Sequence, residues 1–74
     1  MYCSVNGNRL SVYEDGGKLV RTFTFRGLIE SAYMNGEDKV VVTYTDIGNN
    51  ANPHPRYTEL YETSGRLIRK TRCS

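Results

Sequence analysis

The chain repeats a stretch of itself at an offset of 48 residues. Leu10-Ser-Val-Tyr-Glu-Asp-Gly-Gly-Lys-Leu-Val-Arg-Thr-Phe23 aligns with Thr58-Glu-Leu-Tyr-Glu-Thr-Ser-Gly-Arg-Leu-Ile-Arg-Lys-Thr71. Tyr13/Tyr61, Glu14/Glu62, Gly17/Gly65, Leu19/Leu67 and Arg21/Arg69 are identical, and Val12/Leu60, Lys18/Arg66 and Val20/Ile68 are chemically alike. Each copy reads as a strand, a glycine turn and a second strand. A hairpin used twice, in a chain of only 74 residues, points to an all-β protein.

Turn signals punctuate the rest. Asn6-Gly7, Asp15-Gly16-Gly17, Asn35-Gly36 and Ser64-Gly65 each lie between segments rich in Val, Thr, Tyr, Ile and Phe. Such pairs favour tight turns, whose backbone needs φ > 0, and the flanking residue types suit a pleated surface. Strands are expected near 2–5, 9–14, 18–25, 28–34, 39–46, 56–62 and 66–72. Over 27–34, Leu28/Ala32 and Ile29/Tyr33 also fit an i,i+4 face, so a short helix competes there. Val40-Val41-Val42 is apolar on both faces, as a central strand should be. The last segment carries charge on both faces, as protected edge strands do. The expected architecture is a single domain over 1–74, an antiparallel meander of six to seven short strands curled into a small barrel or half-barrel.

A chain of this length buries only about 60% of its unfolded surface, and small domains often add a staple. A disulfide between Cys3 and Cys73 would close nearly the whole chain and contribute about 4 kcal/mol in the entropic view. It requires the terminal strands to be neighbours. The first residues have neither the basic start nor the apolar stretch of a secretory signal, so a cytoplasmic setting with reduced thiols is expected. Two cysteines and one histidine fall short of a four-ligand zinc site. No apolar run approaches the ~20 residues of a membrane-spanning helix. A net charge of +2 neither demands nucleic acid nor excludes it.

The run from Tyr13 to Arg72 resembles a β-propeller blade with a piece of its neighbour. The blade signature, close to V-Y-D-x-x-G-K-L-V-R-T, is approached by Val12-Tyr-Glu-Asp-Gly-Gly-Lys-Leu-Val-Arg-Thr22 and, more loosely, by Leu60-Tyr-Glu-Thr-Ser-Gly-Arg-Leu-Ile-Arg-Lys70. The Trp-Asp and Gly-His pairs of the WD-repeat subfamily are absent. The resemblance implies an alternative architecture, a blade-like sheet completed by oligomerisation, because repeat units bury their faces only against neighbours.

Catalysis finds little support. The one histidine, His54, stands between two prolines, and a nucleophile needs a base in reach and a group to orient it. The acidic residues are scattered and no glycine-rich loop opens a helix, so neither a cofactor nor a catalytic residue is expected. The six tyrosines, with no tryptophan, are the densest unusual feature, and tyrosine is enriched in interfaces. The connection 47–56 is about twice a usual hairpin loop. Asn49, Asn50, Asn52, His54 and Arg56 of that loop, with Tyr57, Tyr61 and Arg69, form the expected binding patch. The function expected is a non-enzymatic protein-interaction module, of the inhibitor or adaptor type that phages and mobile elements encode, whose partner is another protein or a second copy. One alternative is binding of single-stranded nucleic acid on Tyr57 and Tyr61 flanked by Arg56, Arg66, Arg69, Lys70 and Arg72. Another is a structural, self-assembling β unit.

Overall fold

Four of the glycines in the expected turns take positive φ, at 63° for Gly7, 92° for Gly17, 80° for Gly36 and 109° for Gly65. The strands they separate are those the alternation predicts. In the computed structural model, which describes residues 1–48 and 53–73, they are β1 (Tyr2–Asn6), β2 (Arg9–Tyr13), β3 (Leu19–Thr24), β4 (Ile29–Met34), β5 (Lys39–Thr45), β6 (Arg56–Glu62) and β7 (Leu67–Arg72). The segment that competed for helix is strand β4.

The strands do not form one curled sheet. They divide into two open antiparallel sheets, β1-β2-β3 (sheet A) and β4-β5-β6-β7 (sheet B). The barrel or half-barrel expected from strand number and order is therefore incorrect. The meander breaks between β3 and β4, where no Asn-Gly or Asp-Gly pair supplies a hairpin turn. Residues 25–28 cross to the other sheet instead. Asn8 holds the start of this crossing, accepting from the Phe25 amide at 2.9 Å and donating from its own side chain to the Phe25 carbonyl at 3.1 Å. The end of β5 holds the rest: Thr45 N–H donates to Leu28 O at 3.3 Å and Ile47 N–H to Arg26 O at 3.1 Å. Gly27 lies so close to this backbone that an added Cβ would sit 1.7 Å from the Thr45 carbonyl oxygen.

Both sheets contribute to one core. Leu10 and Val12 from β2, Phe25 from the crossing, and Val40, Val42 and Tyr44 from β5 are buried, with Cys3, Phe23, Ile29, Ala32, Met34, Tyr57 and Tyr61 packed against them. β1 lies against β4, while Phe23 of β3 reaches Tyr61 of β6, their rings 4.9 Å apart. Sheet B thus extends one strand beyond sheet A. Every residue of β7 is exposed, and β5 is central, as its apolar faces require.

The sequence repeat is a structural repeat. In β2–β3 the register is Arg9↔Thr24, Leu10↔Phe23, Ser11↔Thr22, Val12↔Arg21 and Tyr13↔Leu19, with an irregularity between Val12 and Tyr13. In β6–β7 the same positions, 48 residues on, pair as Tyr57↔Arg72, Thr58↔Thr71, Glu59↔Lys70, Leu60↔Arg69 and Tyr61↔Leu67, with the irregularity between Leu60 and Tyr61. The turns match too. Glu14 N–H donates to Lys18 O and Gly17 N–H to Glu14 O, at 2.9 and 2.8 Å, and Glu62–Arg66 and Gly65–Glu62 repeat both bonds at 2.8 and 2.9 Å.

Candidate functional site: a tyrosine-clamped carboxylate and two open faces

Alternation along β6 sends Tyr57, Glu59 and Tyr61 inward and Thr58 and Leu60 outward. Glu59 is thereby carried into the core, at 3% exposure. An unpaired carboxylate there would be costly, and three neighbours offset the cost. The Tyr44 hydroxyl donates to Glu59 Oε2 and the Tyr61 hydroxyl to Oε1. Lys70 Nζ lies 3.7 Å from Oε2 and 4.2 Å from the centre of the Tyr57 ring. Phe25 packs against Tyr44 and Tyr61, with ring centres 4.9 and 6.0 Å away. A cleft of about 270 Å³ opens beside the cluster, lined by Phe25, Arg26, Tyr44, Asp46, Glu59 and Lys70 among others. It lies where sheet A has no strand to cover β7.

This cluster joins β5, β6 and β7. Both oxygens of the carboxylate accept from protein donors, so the geometry is that of a fixed acceptor. Burial, followed by the hydrogen bond to Glu59, pushes the hydroxyls of Tyr44 and Tyr61 well above the ordinary tyrosine value of 10.0. Ionising either phenol would remove a donor and place a second negative charge beside Glu59. A folded-state value raised above the unfolded one means that the contribution to stability is complete below about pH 10 and is lost as pH rises beyond it. In a spectrophotometric titration we expect Tyr44 and Tyr61 to resist ionisation until the protein unfolds in alkali, with Tyr44→Phe removing one late-titrating group. Ionisation of all six tyrosines near pH 10 in folded protein is the contrary result.

The expected patch is divided between faces. Tyr57 and Tyr61 share the inner face of sheet B. Arg56 and Arg69 lie on its outer face, opposite Thr45 and Leu60. Arg56 donates to both oxygens of Glu30, at 2.6 and 2.9 Å, and these bonds hold the Glu30 carboxyl below its ordinary range. His54 is exposed. Asn49, Asn50 and Asn52 lie outside the described residues. The two cysteines are free: Cys3 belongs to sheet A, whereas Cys73 follows β7, its thiol 3.1 Å from the Thr58 hydroxyl. Burial pushes the Cys3 thiol up, away from nucleophilic use.

Two features went unread in the sequence. Glu59 between two inward tyrosines is one: alternation puts the three on one face, and the tertiary structure turns that face inward. The other is the outer face of sheet B. Tyr33, Val41, Leu60 and Arg69 form one row across its four strands, and Ser31, Thr43, Thr58 and Thr71 the next. Tyr33 is 59% exposed, and a shallow groove of about 290 Å³ runs over Val41, Thr58, Leu60, Arg69 and Thr71. The outer face of sheet A carries Tyr2 stacked on Tyr13, ring centres 5.2 Å apart, beside Ser11 and Thr22, whose hydroxyls are 3.4 Å apart.

No protein-family model matches the chain, and no curated protein or solved structure matches it. Among the described residues, no group of three or more His, Cys, Asp or Glu side chains is placed to hold a metal ion. Among the same residues no helix is long and apolar enough to cross a membrane. The molecule is a small all-β domain with a tyrosine cluster and two open sheet faces.

Proposed function

We propose that the protein is a structural β unit that works by assembling with copies of itself, without catalysis. The observation that carries this reading is the outer face of sheet B. It presents a four-strand row of Tyr33, Val41, Leu60 and Arg69, over which no strand of the described residues packs. Tyr33 is exposed, with half-buried Val41 and Leu60 beside it, and aromatic and aliphatic side chains grouped on one face mark a contact surface. The binding of single-stranded nucleic acid loses its expected platform: the Tyr57 ring is covered by Lys70, and Tyr61 donates to buried Glu59. Two free thiols suit a cytoplasmic, reducing setting.

Self-association makes stability depend on concentration. We expect the mass measured by light scattering, and the unfolding temperature, to rise together as protein concentration is raised. A monomer mass and an unchanged unfolding temperature up to about 1 mM, where association would supply only about 4 kcal/mol, are the outcome that overturns the reading. Appearance of the assembly only with a co-purified nucleic acid, lost on nuclease treatment, also overturns it.

A further inference from the structure

We infer that copies join head to tail, the outer face of sheet A of one copy seating on the outer face of sheet B of the next. The inference rests on the self-association reading above and goes further, since it names the two surfaces and their pairing.

The repeated hairpin is used with opposite faces toward the core. In sheet A, Val12 points inward and is fully buried, and Tyr13 points outward to stack on Tyr2. At the equivalent positions in sheet B, Leu60 points outward into the groove and Tyr61 points inward to Glu59. The same inversion holds for neighbouring positions. Cys3 and Arg21 flank Val12 on the inner face of sheet A, and Val41 and Arg69 flank Leu60 on the outer face of sheet B. The two sheets are therefore stacked front to back. Had the hairpins met face to face, the molecule would expose two like surfaces, and only a two-fold contact could use them. Front-to-back stacking leaves one front and one back unpaired, and these are the two kinds of surface that already pack together inside each chain.

The contact inside the chain indicates what the contact between chains should be. Within it, the Arg21 guanidinium lies over the turn of the second hairpin, 3.0 Å from the position of a Cβ on Gly65. Arg69 and Gly17 are the equivalents, so Arg69 of one copy is placed over the Gly17 turn of the next. Phe23 packs on Tyr61 within the chain, and Thr71 and Tyr13 are its equivalents between chains. The match is also chemical. The Val41–Leu60 row and Tyr33 offer apolar area, and the Tyr2–Tyr13 pair offers two broad rings to cover it. A contact between two different faces propagates, closing into a ring if its rotation allows and otherwise extending as a filament.

The test is complementation between two variants. Ser11→Lys blocks the outer face of sheet A, and Leu60→Lys blocks that of sheet B. Both sites lie outside the buried core. Thr22→Lys and Thr71→Lys, on exposed positions of the same two faces, replace them if circular dichroism shows either to be misfolded. Each variant alone should lose assembly, with the dissociation constant raised at least tenfold, about 1.4 kcal/mol. Mixed in equal amounts they should form a heterodimer and stop there, since one intact pair of faces remains. If wild-type protein assembles but one of the folded variants still self-associates, or the mixture stays monomeric, the head-to-tail pairing is wrong and self-association stands. If wild-type protein is monomeric, both fail.

Discussion

Replacing Gly27 by alanine is expected to destabilise the protein by about 3–5 kcal/mol, because its Cβ position is the most crowded among the chain's glycines. The added Cβ would fall 1.7 Å from the Thr45 carbonyl oxygen, 2.9 Å from its carbon and 3.1 Å from the Ile47 nitrogen. All three are backbone atoms, so no side-chain rotation relieves the clash. The crossing segment must move off the end of β5, and the hydrogen bonds from Thr45 N–H to Leu28 O and from Ile47 N–H to Arg26 O go with it. Each such bond is worth about 1 kcal/mol and overpacking costs about 1–3 kcal/mol. A domain of this length has about 4–11 kcal/mol in total, so the variant should be close to unfolded. Gly16→Ala is the control, because nothing lies within 4 Å of its Cβ position. It should change stability by less than about 0.5 kcal/mol. Urea unfolding followed by circular dichroism measures both. Equal midpoints for the two variants would show that the crossing is not clamped at Gly27.

Glu59→Leu should cost about 2–4 kcal/mol, although it places an apolar side chain in the core. The loss comes from the partners left behind. The Tyr44 hydroxyl loses the acceptor Glu59 Oε2 inside the core, where Tyr44 is 5% exposed, the Tyr61 hydroxyl loses Oε1, and Lys70 loses its carboxylate. Glu59→Gln keeps an acceptor and should cost less, about 1 kcal/mol. The triple variant Glu59→Leu, Tyr44→Phe, Tyr61→Phe removes the stranded hydroxyls as well as the charge, and apolar replacement of a whole buried network is often close to neutral. We therefore expect the triple variant to be more stable than Glu59→Leu alone. For a domain of this size each kcal/mol moves the melting temperature by about 4–8 °C, so calorimetry separates the three. A triple variant less stable than Glu59→Leu would mean that the hydroxyls contribute through contacts other than the carboxylate.

Much of the fold can be read along the chain. The positive-φ glycines, the seven strands, the central place of β5 and the charged edge β7 all follow from turn residues and from alternation, which act over a few positions. That Tyr57, Glu59 and Tyr61 share one face was legible by the same rule, since they alternate with Thr58 and Leu60. The split of the expected patch was readable too, because Arg56 and Arg69 occupy the other parity of their strands. Closure was not readable. A barrel and two open sheets use the same strands, and they differ in distant pairings: β3 with β4 along the meander and β1 with β7 at closure.

The repeat shows the same division most sharply. Sequence alone determined that two hairpins share one register, one bulge position and one turn, because those depend on glycine conformation and side-chain order within 15 or so residues. The face each hairpin turns to the core was decided by the tertiary structure. Val12 and Leu60 are alike in chemistry, as Tyr13 and Tyr61 are, so local preference cannot tell inside from outside. What settles it is the crossing at 25–28, where Phe25 enters the core and Gly27 seats against the end of β5. That segment carries the chain from one sheet to the other and stacks the second hairpin behind the first rather than facing it, which leaves one surface of each kind exposed.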